Sequence, residues 1–263
     1  MPAPFAQPFP MPFPLPRTAR LAVLASGRGS NLASLLNAFP PREAPLGSAA
    51  SPDAGASTDA PAQPAPDEAA TERPPGRVVL VVSNVPGAAA LARAEAAGVA
   101  TTPIAWMRQV GDRVTFEREL QASLDEHGVD LICLAGFMRI LSPGFTRRWA
   151  GRIVNVHPSL LPAFRGLHAQ RQALQAGVTT TGCTIHLVDA GVDTGRIVLQ
   201  RRVPVLPGDD ESTLADRILD QEHVAYPEAV RRLLRGEVDA TGGAAELGEA
   251  GEIGGDPEGE GTA

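Results

Sequence analysis

Residues 19–31 have the sequence ARLAVLASGRGSN, in which a short apolar run enters a turn that contains two glycines. The run 19–25 predicts a buried β-strand, and leucines at helical spacing over 31–38 predict a helix directly after the turn. A glycine turn between a strand and a helix presents unpaired backbone N–H groups at the positive end of the helix dipole. The stretch therefore predicts the first strand–turn–helix unit of an α/β fold, with an anion site at its turn.

The alternation of apolar strands and helices continues along the chain. The sequence predicts strands at 78–82, 99–104, 131–135 and 153–156, and helices at 88–97 and 113–127. This alternation is typical of a parallel sheet covered by helices on both faces. Farther on, 183–188 and 196–203 predict consecutive strands, and 214–234 predicts a long closing helix. We therefore expect one α/β domain, Rossmann-like in its first half and mixed in its C-terminal half.

Three segments have a composition that does not support a packed core. They are a Pro-rich head at 1–17, an insert at 40–76 rich in Ala, Pro and acidic residues, and an acidic Gly-rich tail at 237–263. Such segments bury too little apolar surface to offset chain entropy, so we predict that they are disordered. The predicted organisation is a head, a domain at 18–236 that contains the insert, and a tail.

Charge and cysteine content argue against several function classes. The formal net charge is −7, and the insert and tail hold the acidic excess, so the remaining chain is mildly basic. Such a charge suits a small anionic substrate better than a nucleic acid. Cys133 and Cys183 lie in apolar runs, which predicts buried thiols, and no metal-ligand spacing is present. Without a membrane-spanning run or a signal peptide, the sequence predicts a soluble cytoplasmic protein.

The glycine turn favours a simple phosphate over a nucleotide cofactor. A dinucleotide fingerprint would place a third glycine at the position of Leu32 and an acid after the second strand, where Ser83 and Asn84 stand. The Gly-Lys-Ser/Thr of a Walker loop is absent as well. Ser30 and Asn31 could add side-chain donors to a phosphomonoester. An ordinary strand-to-helix turn remains the alternative.

The segment Asn155–Val156–His157 carries the candidate chemistry. Residues two apart in a strand point to the same side, so Asn155 and His157 face together at the carboxyl end of a parallel strand, where ligands bind in open α/β sheets. An amide donor beside an imidazole suits acyl transfer. Asp193, in a Gly-rich loop, could orient the imidazole. The alternatives are that His157 caps the turn at Pro158 and that Asp193 is a solvated turn residue.

Several segments together resemble one family. They are SGRGSN (26–31), LAGFMRIL (134–141), NVHPSLLP (155–162), GLHA (166–169), GCTIHLVDAGVDTG (182–195) and QEHVAYP (221–227). Their order and spacing are similar to those of the phosphoribosylglycinamide formyltransferases, over residues 18–39 and 77–234. The resemblance implies the formyltransferase fold and transfer of a formyl group from 10-formyltetrahydrofolate to the amine of glycinamide ribonucleotide in purine biosynthesis.

The resemblance also implies roles for individual residues. The catalytic group would be Asn155, His157 and Asp193; the phosphate would contact Gly29, Ser30 and Asn31, and the ribose Glu222; the folate would contact Arg113, Met138, Arg139, Ile140, Leu141 and Asn155. His186 would have a supportive part. The implied partners are the two small-molecule substrates, with no metal, no nucleic acid and no membrane, in a monomer or homodimer.

Rival functions differ in the segments that surround this machinery. Methionyl-tRNA formyltransferase would carry an Ala-Ala-Pro stretch where Leu167 and His168 follow Gly166, and a basic C-terminal domain in place of an acidic tail. Formyltetrahydrofolate deformylase would carry an N-terminal regulatory domain, for which we expect no room in residues 1–17. A binding module with a decayed site is the non-enzymatic alternative. It would bind folate without turnover.

Overall fold

The computed structural model describes residues 13–41, 75–106 and 112–238. In chain order its elements are β1 (Ala19–Ala25), α1 (Ser30–Ala38), β2 (Gly76–Ser83), α2 (Ala89–Ala96), β3 (Ala100–Pro103), α3 (Asp112–Glu126), β4 (Leu131–Leu134), α4 (Pro143–Arg148), β5 (Ile153–His157), α5 (Ala169–Gln175), β6 (Thr180–Leu187), β7 (Ile197–Pro204) and α6 (Glu211–Leu234). The strands form one seven-stranded sheet in the order β3-β2-β1-β4-β5-β6-β7. β1 to β5 are parallel, whereas β6 and β7 run antiparallel to their neighbours. This confirms the predicted α/β sheet that is mixed in its C-terminal part.

β1 lies at the centre of the sheet and is apolar on both faces. Leu21 and Val23 contact the core beneath α1, α2 and α6, whereas Ala22 and Leu24 contact the core beneath α3 and α4. All four side chains are fully buried. A strand covered on both faces has no solvent side, which explains why 19–25 is continuously apolar rather than alternating.

The closing helix α6 fixes the antiparallel half of the sheet to the parallel half. A capping box between Asp210 and Thr213 starts the helix, and its apolar stripe packs on the sheet. The hydroxyl of Tyr226 is fully buried and lies 2.9 Å from the Leu134 carbonyl oxygen and 3.0 Å from that of Val154, to which it donates. Since these carbonyls belong to β4 and β5, one side chain of α6 spans two strands of the sheet.

Two short helices were not predicted from the sequence. α4 has six residues and α5 has seven, so neither shows a periodic apolar stripe long enough to be recognised. α4 nevertheless has a clear start, because the Ser142 side chain accepts a hydrogen bond from the Phe145 amide and Pro143 occupies the first turn.

The predicted disordered segments lie largely outside the described residues. Residues 1–12, 42–74 and 239–263 belong to the predicted head, insert and tail, so these boundaries stay predictions. The described end of the head differs from expectation, because Phe13 is 7% exposed and joins the main core, and Leu15 packs against it. Phe13 carries enough apolar surface to contribute to packing even between prolines. Within the described residues no helix has the length and apolarity needed to cross a membrane.

Candidate active site

A cleft opens at the carboxyl edge of the sheet, at the point where the strand order reverses. β1 stands between β2 and β4, so the connections that leave β1 and β4 diverge to opposite faces and open a crevice at the carboxyl edge. Two contacts join these connections: the Ser26 amide donates to the Gly136 carbonyl at 3.2 Å, and the Met138 amide donates to Oγ of Ser26 at 2.9 Å. The glycine turn after β1 is therefore bonded directly to the loop after β4.

Asn155 and His157 face the same side of the sheet, as their spacing predicted. β5 pairs with the antiparallel strand β6, which sets Asn155 opposite His186 and His157 opposite Thr184. Nδ2 of Asn155 lies 3.2 Å from Nε2 of His186, and Nδ1 of His186 lies 2.9 Å from the Leu187 carbonyl oxygen. These two contacts hold the His186 ring against the Asn155 side-chain amide.

Asp193 meets His157, although they lie on different parts of the chain. Oδ2 of Asp193 is 3.3 Å from Nδ1 of His157, and its Oδ1 is 3.5 Å from Nε2 of His186. The Gly166 amide donates to Oδ2 at 2.9 Å. Burial acts to raise the pKa of Asp193, but hydrogen bonds from His186 and Gly166 and the charge of His157 together hold that pKa below its usual value. Asp193 is thus an ionised, half-enclosed carboxylate.

His157 has an acceptor at each ring nitrogen. Nε2 lies 2.9 Å from the Phe164 carbonyl oxygen, while Nδ1 faces Asp193. Its side chain is 6% exposed, so water does not compete strongly for these positions. These two contacts fix the orientation of the imidazole ring and hold it against Asp193 at the cleft wall.

A cleft of about 460 Å³ opens beside these residues. Its lining contains Asn155, His157 and Asp193 together with the predicted folate residues Met138, Arg139, Ile140 and Leu141. Met138 and Ile140 are 67% and 64% exposed, which is unusual for apolar side chains of this size and suits an apolar ring system in the cleft. Arg113, the remaining predicted folate residue, lies exposed near the start of α3 and is not part of this lining.

The predicted nucleotide residues form a second cluster at the start of α1. Gly29 precedes the helix with a φ of 74°, and no side chain caps the helix there. Nδ2 of Asn31 donates to Oε2 of Glu222 at 2.7 Å, and Oδ1 of Asn31 is buried without a hydrogen-bond partner among the described residues. Ser30 lines a groove of about 520 Å³ between α1 and α6. The structure thus joins Gly29, Ser30, Asn31 and Glu222 from two distant segments.

Glu222 is a carboxyl group held in an apolar surrounding. It is 7% exposed, and burial raises its pKa to about 7, against the opposing effect of the Asn31 hydrogen bond. Burial of a carboxyl group with a single hydrogen-bond partner costs free energy, and a ligand that supplies further hydrogen bonds would reduce that cost. Oδ1 of Asn31 beside it is buried and has no hydrogen-bond partner among the described residues, so a polar ligand bound at this point would satisfy both groups.

Comparison with known proteins gives a consistent result. The formyl transferase family model matches residues 55–230. The phosphoribosylglycinamide formyltransferase of Mycobacterium tuberculosis (strain CDC 1551 / Oshkosh) is 40% identical over 238 residues, which are 90% of this chain and 94% of that protein. The crystal structure of phosphoribosylglycinamide formyltransferase from Anaplasma phagocytophilum aligns with a TM-score of 0.69 at 36% identity, over 90% of this chain and 97% of that chain.

The chain belongs to the phosphoribosylglycinamide formyltransferase family.

A second group of relatives is much longer. The trifunctional purine biosynthetic protein adenosine-3 of Drosophila melanogaster is 45% identical over 220 residues, which are 84% of this chain and 14% of that protein. The chain therefore spans 14% of this longer relative. Family membership and the sheet topology agree with the fold that the sequence predicted.

The sequence did not reveal the backbone groups that hold the catalytic candidates of this formyltransferase. The Phe164 carbonyl and the Gly166 amide contact His157 and Asp193 from the turn after β5. Phe164 has a φ of 54°, a conformation that a non-glycine residue adopts only when tertiary contacts require it. No local sequence pattern predicts a positive φ at a phenylalanine. The described residues contain no cluster of three or more His, Cys, Asp or Glu side chains arranged to hold a metal ion.

Proposed function

We propose that this protein transfers the formyl group of 10-formyltetrahydrofolate to the amine of 5′-phosphoribosylglycinamide. The products are formylglycinamide ribonucleotide and tetrahydrofolate, within purine biosynthesis. Family membership supports the reaction class. The observation that carries the assignment of the site is the meeting of Asn155, His157 and Asp193 on the wall of the cleft formed by residues 138–141.

The two clusters suit the two substrates. The start of α1 offers backbone N–H groups for a phosphate, and Glu222 with Asn31 offers acceptors and donors for a ribose diol. The cleft beside Met138 and Ile140 offers apolar surface for the folate rings. The Ser26 hydroxyl bonds the glycine turn to the loop of Met138, and Met138 and Asn155 line the same cleft. The amine of one substrate and the formyl group of the other would therefore meet near Asn155.

The chemical step needs charge stabilisation and one proton transfer. The substrate amine attacks the formyl carbon, a C–N bond forms, and the carbonyl electron pair moves to oxygen. Nδ2 of Asn155 and the His157 imidazolium stabilise that oxyanion. When the intermediate collapses, the bond to the folate nitrogen breaks; the attacking amine loses a proton and the folate nitrogen gains one. Asp193 keeps His157 in the protonation state that the reaction needs and assists this proton movement.

A formyl-transfer assay tests the proposal. Purified protein is mixed with 10-formyl-folate donor and glycinamide ribonucleotide, and deformylated folate is followed by absorbance. One control omits the amine, and a second uses His157→Ala. We expect turnover only with the ribonucleotide, and its loss in the variant. Folate release without the amine would identify a hydrolase instead, and folate binding without any turnover would identify a binding module.

A further inference from the structure

The turn between β5 and α5 contacts both members of the His157–Asp193 pair through its backbone. The Phe164 carbonyl oxygen lies 2.9 Å from Nε2 of His157, and the Gly166 amide donates to Asp193 at 2.9 Å. The imidazole ring and the carboxylate are therefore each bonded to a backbone group of the turn, and these two groups are two residues apart in the sequence. Any shift of this turn changes both contacts at once.

The turn is attached to the sheet at Leu161. The Leu161 amide donates to Oγ1 of Thr184 at 3.0 Å, and Nε2 of Gln200 donates to the Leu161 carbonyl at 2.9 Å. Gln200 also donates to Oγ1 of Thr184 at 2.9 Å, and that hydroxyl donates to the Ser159 carbonyl at 2.6 Å. Both backbone polar groups of Leu161 are thus satisfied by side chains of the sheet.

His157, Thr184 and Gln200 stand in one row across three strands. His157 pairs with Thr184 between β5 and β6, and Thr184 pairs with Gln200 between β6 and β7. Directly paired residues present their side chains on the same face of a sheet. Thr184 is fully buried, and neither Thr184 nor Gln200 lines the cleft. The row therefore connects the edge strand to the cleft without either residue contacting a substrate.

We propose that Gln200 is a positioning residue for formyl transfer. It fixes the turn 158–166, and that turn keeps the Phe164 carbonyl on His157 and the Gly166 amide on Asp193. The inference rests on the proposed function. Gln200 acts through Leu161 rather than on a substrate. Its loss would leave the Leu161 carbonyl unpaired and free the turn to move, although the fold of the sheet would persist.

The effect on Asp193 gives a readout that does not depend on turnover. The groups that face this carboxylate are His157 on β5, His186 on β6 and the Gly166 amide of the turn. The Gly166 hydrogen bond is one of the contacts that hold the pKa of Asp193 below its usual value. When the turn loosens, the pKa of Asp193 should rise, and the acid limb of the pH–rate profile should move to higher pH.

The test replaces Gln200 by the isosteric apolar residue. In Gln200→Met we expect kcat to fall about tenfold with KM values within about twofold of the parent, the pattern of lost geometry at the reacting groups. Titration of Asp193 by carboxyl ¹³C NMR should give a higher pKa than in the parent. Unchanged kcat together with an unchanged Asp193 titration would overturn the proposal. Absence of formyl transfer in the parent would instead refute the proposed function and leave the NMR test standing.

Matched variants separate positioning from general destabilisation. Gln121→Met removes a half-buried glutamine of α3 that bonds Asp125 and Trp149, so we expect lowered stability with kcat unchanged. Thr184→Ser keeps the hydroxyl and should behave as the parent, whereas Thr184→Val should resemble Gln200→Met. In the double variant Gln200→Met/Thr184→Val the two losses of kcat should not add, because both residues hold Leu161. Additive losses, or an equal kcat loss in Gln121→Met, would contradict the proposal.

Discussion

His157 and Asp193 lie 3.3 Å apart on the cleft wall, so removal of either side chain should lower turnover strongly. We expect His157→Ala and Asp193→Ala each to lower kcat at least ~100-fold, the usual scale for loss of a general acid–base group or an oxyanion-stabilising charge. Steady-state kinetics of both variants, with thermal melts to establish folding, measure this. A folded Asp193→Ala protein with near-normal turnover would remove Asp193 from the catalytic group.

Glu222 should make stability depend on pH in a direction opposite to most carboxylates. Burial raises its folded-state pKa from 4.5 to about 7, so its stabilising contribution is fully present below pH 4.5 and is lost as pH rises through 7. Glu222→Gln keeps the neutral shape at every pH. We expect this variant to match the parent at pH 4.5 and to exceed its unfolding free energy by up to about 3 kcal/mol at pH 8.

Urea denaturation from pH 4.5 to pH 8 measures that difference. Under the proposed function the same substitution should raise KM for the ribonucleotide about tenfold at pH 8, since an amide is a weaker acceptor for a diol than a carboxylate. Stability and affinity would then change in opposite directions. A stability difference that does not vary with pH would show that Glu222 is ionised in the free protein.

At the residue scale, period-two spacing was sufficient to place Asn155 and His157 on one side of a strand. The contact between His157 and Asp193 could not be predicted from residues alone, because it depends on the antiparallel pairing of β6 and on a φ of 50° at Asp193. The sequence supplied the resemblance that named Asp193. It offered no pattern for the role of the Phe164 carbonyl, since a carbonyl is present at every position.

At the element scale, the long apolar strands and helices were predictable because each satisfies its own periodicity. The order of the strands was not, since parallel pairing depends on how crossovers pack. The antiparallel strands β6 and β7 were recognised as consecutive strands, but their register, which aligns His157, Thr184 and Gln200, follows from the whole sheet. That alignment lets Gln200 on the edge strand contact the turn beside His157 through Leu161.

The glycine turn before α1 is the proposed contact for the substrate phosphate, and a substitution at Gly29 tests it. Gly29 has a φ of 74°, and a Cβ there would lie 3.0 Å from Cα and Cβ of Ala90 in α2. Gly29→Ala would therefore cost roughly 1–2 kcal/mol in backbone strain and would also push α1 from α2. We expect a lowered Tm, and at least a tenfold higher KM for the ribonucleotide, with KM for the folate unchanged.

Gly98→Ala is the matched control for that substitution. Gly98 has a φ of 72°, a Cβ added to it would meet nothing within 4 Å, and it lies at the amino edge of the sheet, before β3. The backbone cost should be similar, but both KM values should stay at the parent level. Equal effects of the two variants on ribonucleotide KM would mean that the α1 turn does not contact the phosphate.

For the whole molecule, the question is whether the residues outside the described structure take part in function. The two sides of the predicted insert meet in the fold, because the Val78 amide donates to the Phe39 carbonyl at 3.0 Å and the Ala19 amide donates to that of Pro75 at 2.9 Å. Both flanks are thus fixed by the sheet and its first helix. The chain between them closes a loop whose ends are already adjacent.

Deletion of 42–74, with a short Gly/Ser linker between Pro41 and Pro75, should therefore leave the fold and the reaction intact. Loop-closure entropy changes only logarithmically with length, so we expect a gain in unfolding free energy on the order of 1–2 kcal/mol, with kcat and both KM values within about twofold of the parent. Urea denaturation and the formyl-transfer assay measure these quantities. The catalytic candidates and the proposed substrate contacts all lie outside the deleted range, which is why we expect no loss. A deletion protein that folds but loses activity would show that this segment contributes to the site, and the active domain would then extend beyond the described residues.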